Sequence, residues 1–95
     1  MNFFDRHRVF LETSNVGNWP ERLNARYHAI IEENRAIFAG AKVLDLASHD
    51  GRWSFAALDA GATSVTGIEV RPELAAAATQ NMTALGVQEN RYRFE

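Results

Sequence analysis

The spacing of apolar positions changes along the chain and divides the sequence into two parts. Residues 1–17 show no convincing period, and their apolar side chains predict an N-terminal arm that packs on the rest of the domain. A turn over residues 15–18 follows. From residue 18 to residue 40, apolar residues recur at helical spacing, with charged residues largely on the other side. This pattern predicts an amphipathic helix over residues 18–40, with Asn18 as its N-cap and Gly40 just past its end.

From residue 42 onwards, short segments with strand patterns alternate with helical segments. The predicted order is strand 42–46, helix 51–60, strand 64–70, helix 72–85 and strand 91–95. Such alternation is typical of βαβ units with right-handed crossovers and a parallel sheet. Residues 18–95 are therefore predicted to form a partial α/β domain, an incomplete three-layer Rossmann-like fold of about three strands in order 3-2-1. The nearly all-apolar strand 42–46 predicts burial on both faces of the sheet.

Composition narrows the class of protein. The 95 residues are 46% hydrophobic and 23% charged, which is typical of one small soluble globular domain. Ten basic residues against twelve acidic ones give a net charge of -2, so a nucleic-acid surface is not indicated and a small-molecule acceptor is favoured, with RNA left as an alternative substrate. The absence of cysteine excludes thiolate metal sites, and the three histidines match no metal-ligand spacing. No stretch approaches the roughly 20 apolar residues of a membrane span, and we expect a cytoplasmic protein without a membrane anchor.

Three strands make only half of a doubly wound sheet. The first strand in sequence normally lies in the middle of such a sheet, so here its second neighbour is missing and an apolar edge is left open to pairing. The chain is therefore expected to be a fragment of a longer protein or a unit that another chain completes, with self-association through this open edge as one outcome.

Two features are expected where ligands bind in such sheets, beyond the carboxyl ends of the strands. The first is the turn over residues 46–51, whose backbone amides lead into a helix N-terminus. The second is Glu69, eighteen residues after Gly51, where an acid can accept hydrogen bonds from both hydroxyls of a ribose. These features predict a site for a nucleoside.

Together the motifs resemble those of class I S-adenosylmethionine-dependent methyltransferases, specifically their N-terminal, cofactor-binding half. The matching features are Val43-Leu44-Asp45-Leu46, then Gly51, Ser54, Ala60-Gly61-Ala62, Val65-Thr66-Gly67-Ile68-Glu69 and the segment from Ala78 to Asn81. The family pattern runs V-L-D-L-G-x-G-x-G, with an acid closing the second strand and a helix ending near A-x-x-N. The resemblance covers about residues 42–95 and implies S-adenosylmethionine as cofactor and methyl transfer to an unidentified acceptor.

The resemblance also implies roles for individual residues. Asp45 matches the acid that lies near the methionine amino group, Gly51 the last glycine of the motif, and Glu69 the acid that binds ribose. Val70 matches a position that often lies against adenine. The cofactor-binding residues predicted in this way are Asp45, Ala47, His49, Gly51, Glu69 and Val70.

The chain departs from the family pattern at two of these positions. Ala47 and His49 replace the first two glycines. We expect Ala47 to be a mild change if its φ stays negative, whereas a positive φ at His49 costs about 1–2 kcal/mol. Asp50 and Arg52, in the same loop, are expected to be solvated.

Two other classes of function compete with the methyltransferase. A dinucleotide site needs G-x-G-x-x-G for its pyrophosphate, and Asp45 and Asp50 would repel that group. The second alternative is a half-Rossmann interaction or nucleotide-binding module without catalysis, which a partner chain completes. No catalytic residue is assigned, because the family's acceptor-binding residues usually follow the fourth strand. We therefore expect little or no methyl transfer by these 95 residues alone.

Overall fold

The computed structural model of the protein describes residues 1–13 and 19–95, which form two compact units, residues 1–35 and residues 36–95. The predicted turn over residues 15–18 and the predicted N-cap Asn18 lie outside the described residues. The division into an arm of residues 1–17 and a domain of residues 18–95 stays a prediction.

Short helical segments build the first unit. They are α1 (Phe3–Arg6), a 3₁₀ turn (Arg8–Leu11) and α2 (Pro20–Ile30). Four residues are too few to show a helical period, which is why the sequence predicted an arm without helices here. Pro20 stands at the first position of α2, where its missing N–H has no helical partner to lose.

An aromatic cluster holds the first unit together. The Phe3 ring stacks on the Tyr27 ring with centroids 4.3 Å apart, and Phe4 meets Phe10 edge to face at 6.1 Å. Phe4 and Phe10 are completely buried. The Asn24 side chain accepts a hydrogen bond from the Phe4 backbone N–H, so the burial of these rings comes with a paired backbone group.

The predicted helix over residues 18–40 is interrupted. After α2 come a 3₁₀ turn (Glu32–Asn34) and the short helix α3 (Arg35–Phe38). The side-chain amide of Asn34 donates to the backbone oxygens of Ala29 and Ile30, at 3.2 and 3.0 Å. These side-chain bonds compete with the regular helical ladder and account for the break.

The second unit is the α/β part of the chain. Its elements are β1 (Lys42–Leu46), α4 (Arg52–Asp59), β2 (Ser64–Ile68), α5 (Pro72–Ala84), a 3₁₀ turn (Glu89–Arg91) and β3 (Tyr92–Phe94). The strands are parallel in the order β1-β2-β3, which is the predicted order 3-2-1 read in reverse. The prediction of an incomplete Rossmann-like α/β fold is confirmed.

One face of β1 is exposed, which corrects the prediction of burial on both faces. Leu44 and Leu46 are 63% and 69% exposed, whereas Asp45 points to the opposite face and meets Ser54 of α4. Right-handed crossovers in a 1-2-3 order place α4 and α5 on the same face of the sheet. The apolar run in β1 therefore meets a helical layer on only one side.

Arg91 makes hydrogen bonds to the turn between α4 and β2. Its guanidinium donates to the backbone oxygens of Ala62 at 2.9 Å and Leu58 at 3.3 Å. Carbonyls at a helix C-terminus lack helical partners, so this cation stabilises the end of α4.

Candidate functional site

The carboxyl ends of β1 and β2 lie side by side and bring the two predicted ligand-binding segments together. Asp45 pairs in register with Gly67, and Leu46 with Ile68. Beyond the strands, the backbone N–H of Ser48 donates to the Ile68 oxygen at 3.0 Å. This hydrogen bond connects the loop after β1 to the end of β2, and Glu69 is the next residue along the chain.

The loop has a left-handed backbone at every second residue. The φ angles are +59° at Ala47, +57° at His49 and +86° at Gly51. These are the three positions at which the family pattern has glycine, because glycine adopts positive φ without steric cost. The negative φ that would make Ala47 a mild change is not present, and the structure places two non-glycine residues in a conformation that costs about 1–2 kcal/mol each.

Replacing Ala47 by Gly is expected to raise the free energy of unfolding by about 0.5–1 kcal/mol. The substitution removes the left-handed strain, which exceeds the additional freedom that glycine gains in the unfolded chain. The matched control is Ala76→Gly on the exposed side of α5, which should lower the free energy of unfolding by about the same amount. Urea denaturation measures both changes, and a loss of stability in both variants would contradict the account.

Gly51 lies against α5 and β3. A Cβ atom at Gly51 would come within 3.2 Å of the Ala78 Cβ and the Met82 Cε, and within 3.3 Å of the Phe94 ring. The side-chain amide of Asn81 donates to the backbone oxygen of Asp50 at 3.0 Å. The A-x-x-N segment therefore has a structural purpose here, since Ala78 makes room for the loop and Asn81 holds its backbone.

The Asp45 carboxyl is half-buried between β1 and α4. Ser54 Oγ donates to Oδ2 at 2.7 Å, so the hydrogen bond uses one of the two carboxyl oxygens. Burial raises the pKa of the Asp45 carboxyl above its ordinary value, against the hydrogen bond from Ser54, which lowers it. A partly desolvated acid of this kind is stabilised by a cation, and an ammonium group is one that a ligand can supply.

The Glu69 carboxylate is almost completely buried, with its side chain 2% exposed. Oε1 accepts from the backbone N–H of His49 at 2.8 Å, and Oε2 accepts from the backbone N–H of Arg71 at 3.1 Å. The Arg71 guanidinium adds Nε to Oε2 at 2.9 Å and Nη2 to Oε1 at 3.4 Å. The hydrogen bonds from Arg71 are the main reason that the pKa of Glu69 falls to about 2, so the group is ionised at neutral pH.

Asp50 and Arg52 form a buried ion pair, so the expectation that they are solvated was wrong. Asp50 is completely buried and Arg52 is 6% exposed. The guanidinium donates Nε to Oδ1 at 2.8 Å and Nη2 to Oδ2 at 2.9 Å, the two-pronged geometry that carboxylates and arginines favour. The packing of α5 on the loop buries these charges, and residue spacing does not reveal that packing.

His49 contributes to the site through its backbone, while its ring lies on this ion pair. The side chain is 26% exposed, and Nδ1 is 3.4 Å from both Asp50 Oδ1 and Arg52 Nη2. The backbone N–H of the same residue binds Glu69. One residue thus connects the buried pair to the carboxylate at the end of β2.

Val70 lies just past the end of β2, which is two residues shorter than predicted, and it is 89% exposed. The predicted contact with adenine stays a prediction.

Sequence reasoning missed Arg71 as a partner of Glu69. The available signal was a basic residue two positions after the acid, and spacing alone does not distinguish such a pair from two solvated charges.

A separate cavity of about 430 Å³ lies within the first unit, and Arg6, Asn24 and His28 are among its lining residues. None of the predicted cofactor-binding residues lines it.

Among the described residues, no helix combines the length and apolar character needed to cross a membrane.

No family model and no curated protein matches the sequence, whereas many solved structures resemble the chain. Protein arginine methyltransferase 10 of Arabidopsis thaliana superposes with a TM-score of 0.70 at 21% identity, covering 99% of this chain and 24% of that chain. A candidate RNA methyltransferase from Pyrococcus horikoshii gives 0.66 at 20% identity, with 76% and 36% covered. The ribosomal protein L11 methylase of Lactobacillus delbrueckii subsp. bulgaricus gives 0.58 at 26% identity, with 65% and 31% covered.

A further neighbour, SMU.776, was solved in complex with SAH; its TM-score is 0.55 at 22% identity, covering 68% of this chain and 19% of that chain. The chain thus spans about a third or less of the length of these structures. The fold is the Rossmann-like fold of class I S-adenosylmethionine-dependent methyltransferases, as the sequence motifs predicted. These comparisons do not favour the alternative of a non-catalytic interaction module.

Proposed function

We propose that residues 42–95 bind S-adenosylmethionine and form the cofactor-binding half of a methyltransferase. The observation that carries the proposal is the pair of acids at the carboxyl ends of neighbouring strands, the half-buried Asp45 near the end of β1 and the buried Glu69 just after β2. The first suits an ammonium group and the second suits the two hydroxyls of a ribose. When bound, the cofactor supplies a methyl group on a sulfonium for transfer to a nucleophile.

The chemistry of these residues separates this proposal from dinucleotide binding. The loop has one glycine where a pyrophosphate needs three, and the acidic Asp45 lies on β1 just before it. Asp50 adds no repulsion, because Arg52 neutralises it in the interior. Asp45 and the side chains at positions 47 and 49 therefore carry the argument against a pyrophosphate.

Titration calorimetry with S-adenosylhomocysteine and with 5′-methylthioadenosine tests the proposal. Asp45→Asn should weaken S-adenosylhomocysteine about 10-fold and leave methylthioadenosine unchanged, because only the former carries the ammonium group. Asp59→Asn, an exposed residue at the end of α4, is the control and should change neither affinity. No heat from either ligand at millimolar concentration, or tighter binding of NAD, would refute the proposal.

The acceptor is proposed to be a small molecule. The chain has no basic excess, and Arg52, Arg71 and Arg91 are all engaged within the second unit. The neighbours include enzymes named for RNA and for protein acceptors, so their names do not favour one class of acceptor.

A cytoplasmic location is proposed from the absence of cysteine, and cell fractionation tests it.

We further propose that the chain self-associates through β1. Among the described residues β1 pairs only with β2, and its exposed face carries Leu44 and Leu46. A second copy related by a two-fold axis would add its own β1 in antiparallel pairing along the free backbone edge of this strand. Sedimentation should show a dimer at about 100 μM that Leu44→Lys abolishes and Ile37→Lys, at an exposed apolar residue of α3, does not. A monomer at that concentration would refute the idea.

A further inference from the structure

The four hydrogen bonds on Glu69 leave no acceptor position for a ligand. A carboxylate has about four lone-pair sites, and four N–H groups reach Glu69, namely two backbone amides and two guanidinium nitrogens of Arg71. A ribose needs two of these sites for its 2′ and 3′ hydroxyls. The residue predicted to bind ribose is thus saturated in this structure.

The backbone amides and the guanidinium differ in how easily they can move away from the Glu69 carboxylate. The amide of His49 belongs to the strained loop, and the amide of Arg71 lies at the start of α5, so neither can move without rearranging the backbone. The Arg71 side chain is 54% exposed and is free to change rotamer. The guanidinium is therefore the group that a diol would displace.

We propose that Arg71 sets the affinity of the site by competing with the ligand's ribose for Glu69. This inference rests on the proposed binding of S-adenosylmethionine. The backbone amides keep the carboxylate aimed at the ligand, while the guanidinium covers it until a diol supplies two replacement donors. A ligand without the diol supplies no replacement donors and leaves the guanidinium on the carboxylate.

If the competition exists, Arg71→Ala should raise the affinity for the ligand, whereas structural damage would lower it. Arg71→Ala should bind S-adenosylhomocysteine about 3- to 10-fold more tightly than the unmodified protein, because no ion pair between Glu69 and a guanidinium has to break first. Raising NaCl from 50 to 500 mM should tighten binding by the unmodified protein and have no such effect on Arg71→Ala. Arg93→Ala, at an exposed arginine of β3 that pairs with Glu95, is the matched control and should bind like the unmodified protein.

The outcomes separate this proposal from the function on which it rests. If the unmodified protein binds S-adenosylhomocysteine and a folded Arg71→Ala binds equally or less tightly, the competition is refuted while the function stands. If neither protein binds, both are refuted. Should Arg71→Ala fail to fold, the Arg71 Nε–H resonance of the unmodified protein decides the matter. It should exchange slowly in the free protein and rapidly in the complex, and a signal that stays protected in the complex would overturn the proposal.

Discussion

Glu69→Gln should weaken S-adenosylhomocysteine and methylthioadenosine alike, by about 10- to 100-fold. Both ligands carry the ribose, and a hydrogen bond to a charged acceptor contributes about 1.5–3 kcal/mol. The glutamine has the same shape but only one acceptor oxygen, so it cannot serve both hydroxyls. Together with Asp45→Asn, which affects only the ligand with the ammonium group, the variant assigns each acid to one part of the cofactor.

The control for Glu69→Gln is Glu73→Gln in the first turn of α5, an exposed residue close in sequence. Calorimetry gives the affinities, and thermal unfolding at the same pH shows whether the variant is folded. Retention of full affinity by a folded Glu69→Gln would contradict the assignment of Glu69 to the ribose.

The same variant has a defined pH dependence of stability. The pKa of Glu69 is about 2 in the folded protein against an ordinary value of 4.5, so the folded state favours the ionised carboxylate. The stabilisation is therefore fully present above about pH 4.5 and is lost as the pH falls through 2. The difference in unfolding free energy between Glu69→Gln and the unmodified protein should be constant from about pH 5 to 8 and shrink in acid.

Arg52→Met should lower the free energy of unfolding by about 3–5 kcal/mol, the largest loss of stability that we expect from a single side chain. The substitution leaves the completely buried Asp50 carboxylate without its partner. A domain of this size has roughly 5–15 kcal/mol of stability in total, so the variant should be close to unfolding at 37 °C. Urea denaturation at neutral pH measures the change.

Two variants control for the loss of the arginine itself. Arg93→Met breaks the exposed pair between Arg93 and Glu95 and should cost less than about 1 kcal/mol. The double variant Asp50→Asn with Arg52→Met removes both charges and should recover part of the loss. Equal stability of Arg52→Met and Arg93→Met would show that the pair is not buried in solution.

The sequence predicted the α/β part of the fold because its signals are local. The first strand is a short apolar run, the second is rich in β-branched residues, and the third alternates aromatic with charged residues. Pro72 marks the start of α5, and the predicted strand and helix bounds differ from the observed ones by at most two residues. The same rules failed in the first unit. α1 is only four residues long, and the side-chain bonds of Asn34 interrupt a segment whose apolar period continues.

The site was predicted at the level of residue types rather than of contacts. The positions of Asp45 and Glu69 follow from the strand ends, which a pattern can locate. Which charges are buried depends on packing between segments about 30 residues apart, such as the bond between Asn81 and Asp50. The positive φ at Ala47 likewise follows from the path of the loop between β1 and β2, and alanine itself gives no sign of it.

The central claim is that the ends of β1 and β2 bind the cofactor, and a two-dimensional ¹H–¹⁵N NMR titration with S-adenosylhomocysteine tests it most directly. We predict that the amide resonances of residues 47–51 and 69–71 shift together, with one dissociation constant that matches calorimetry. Unchanged resonances in both segments at millimolar ligand would contradict the claim.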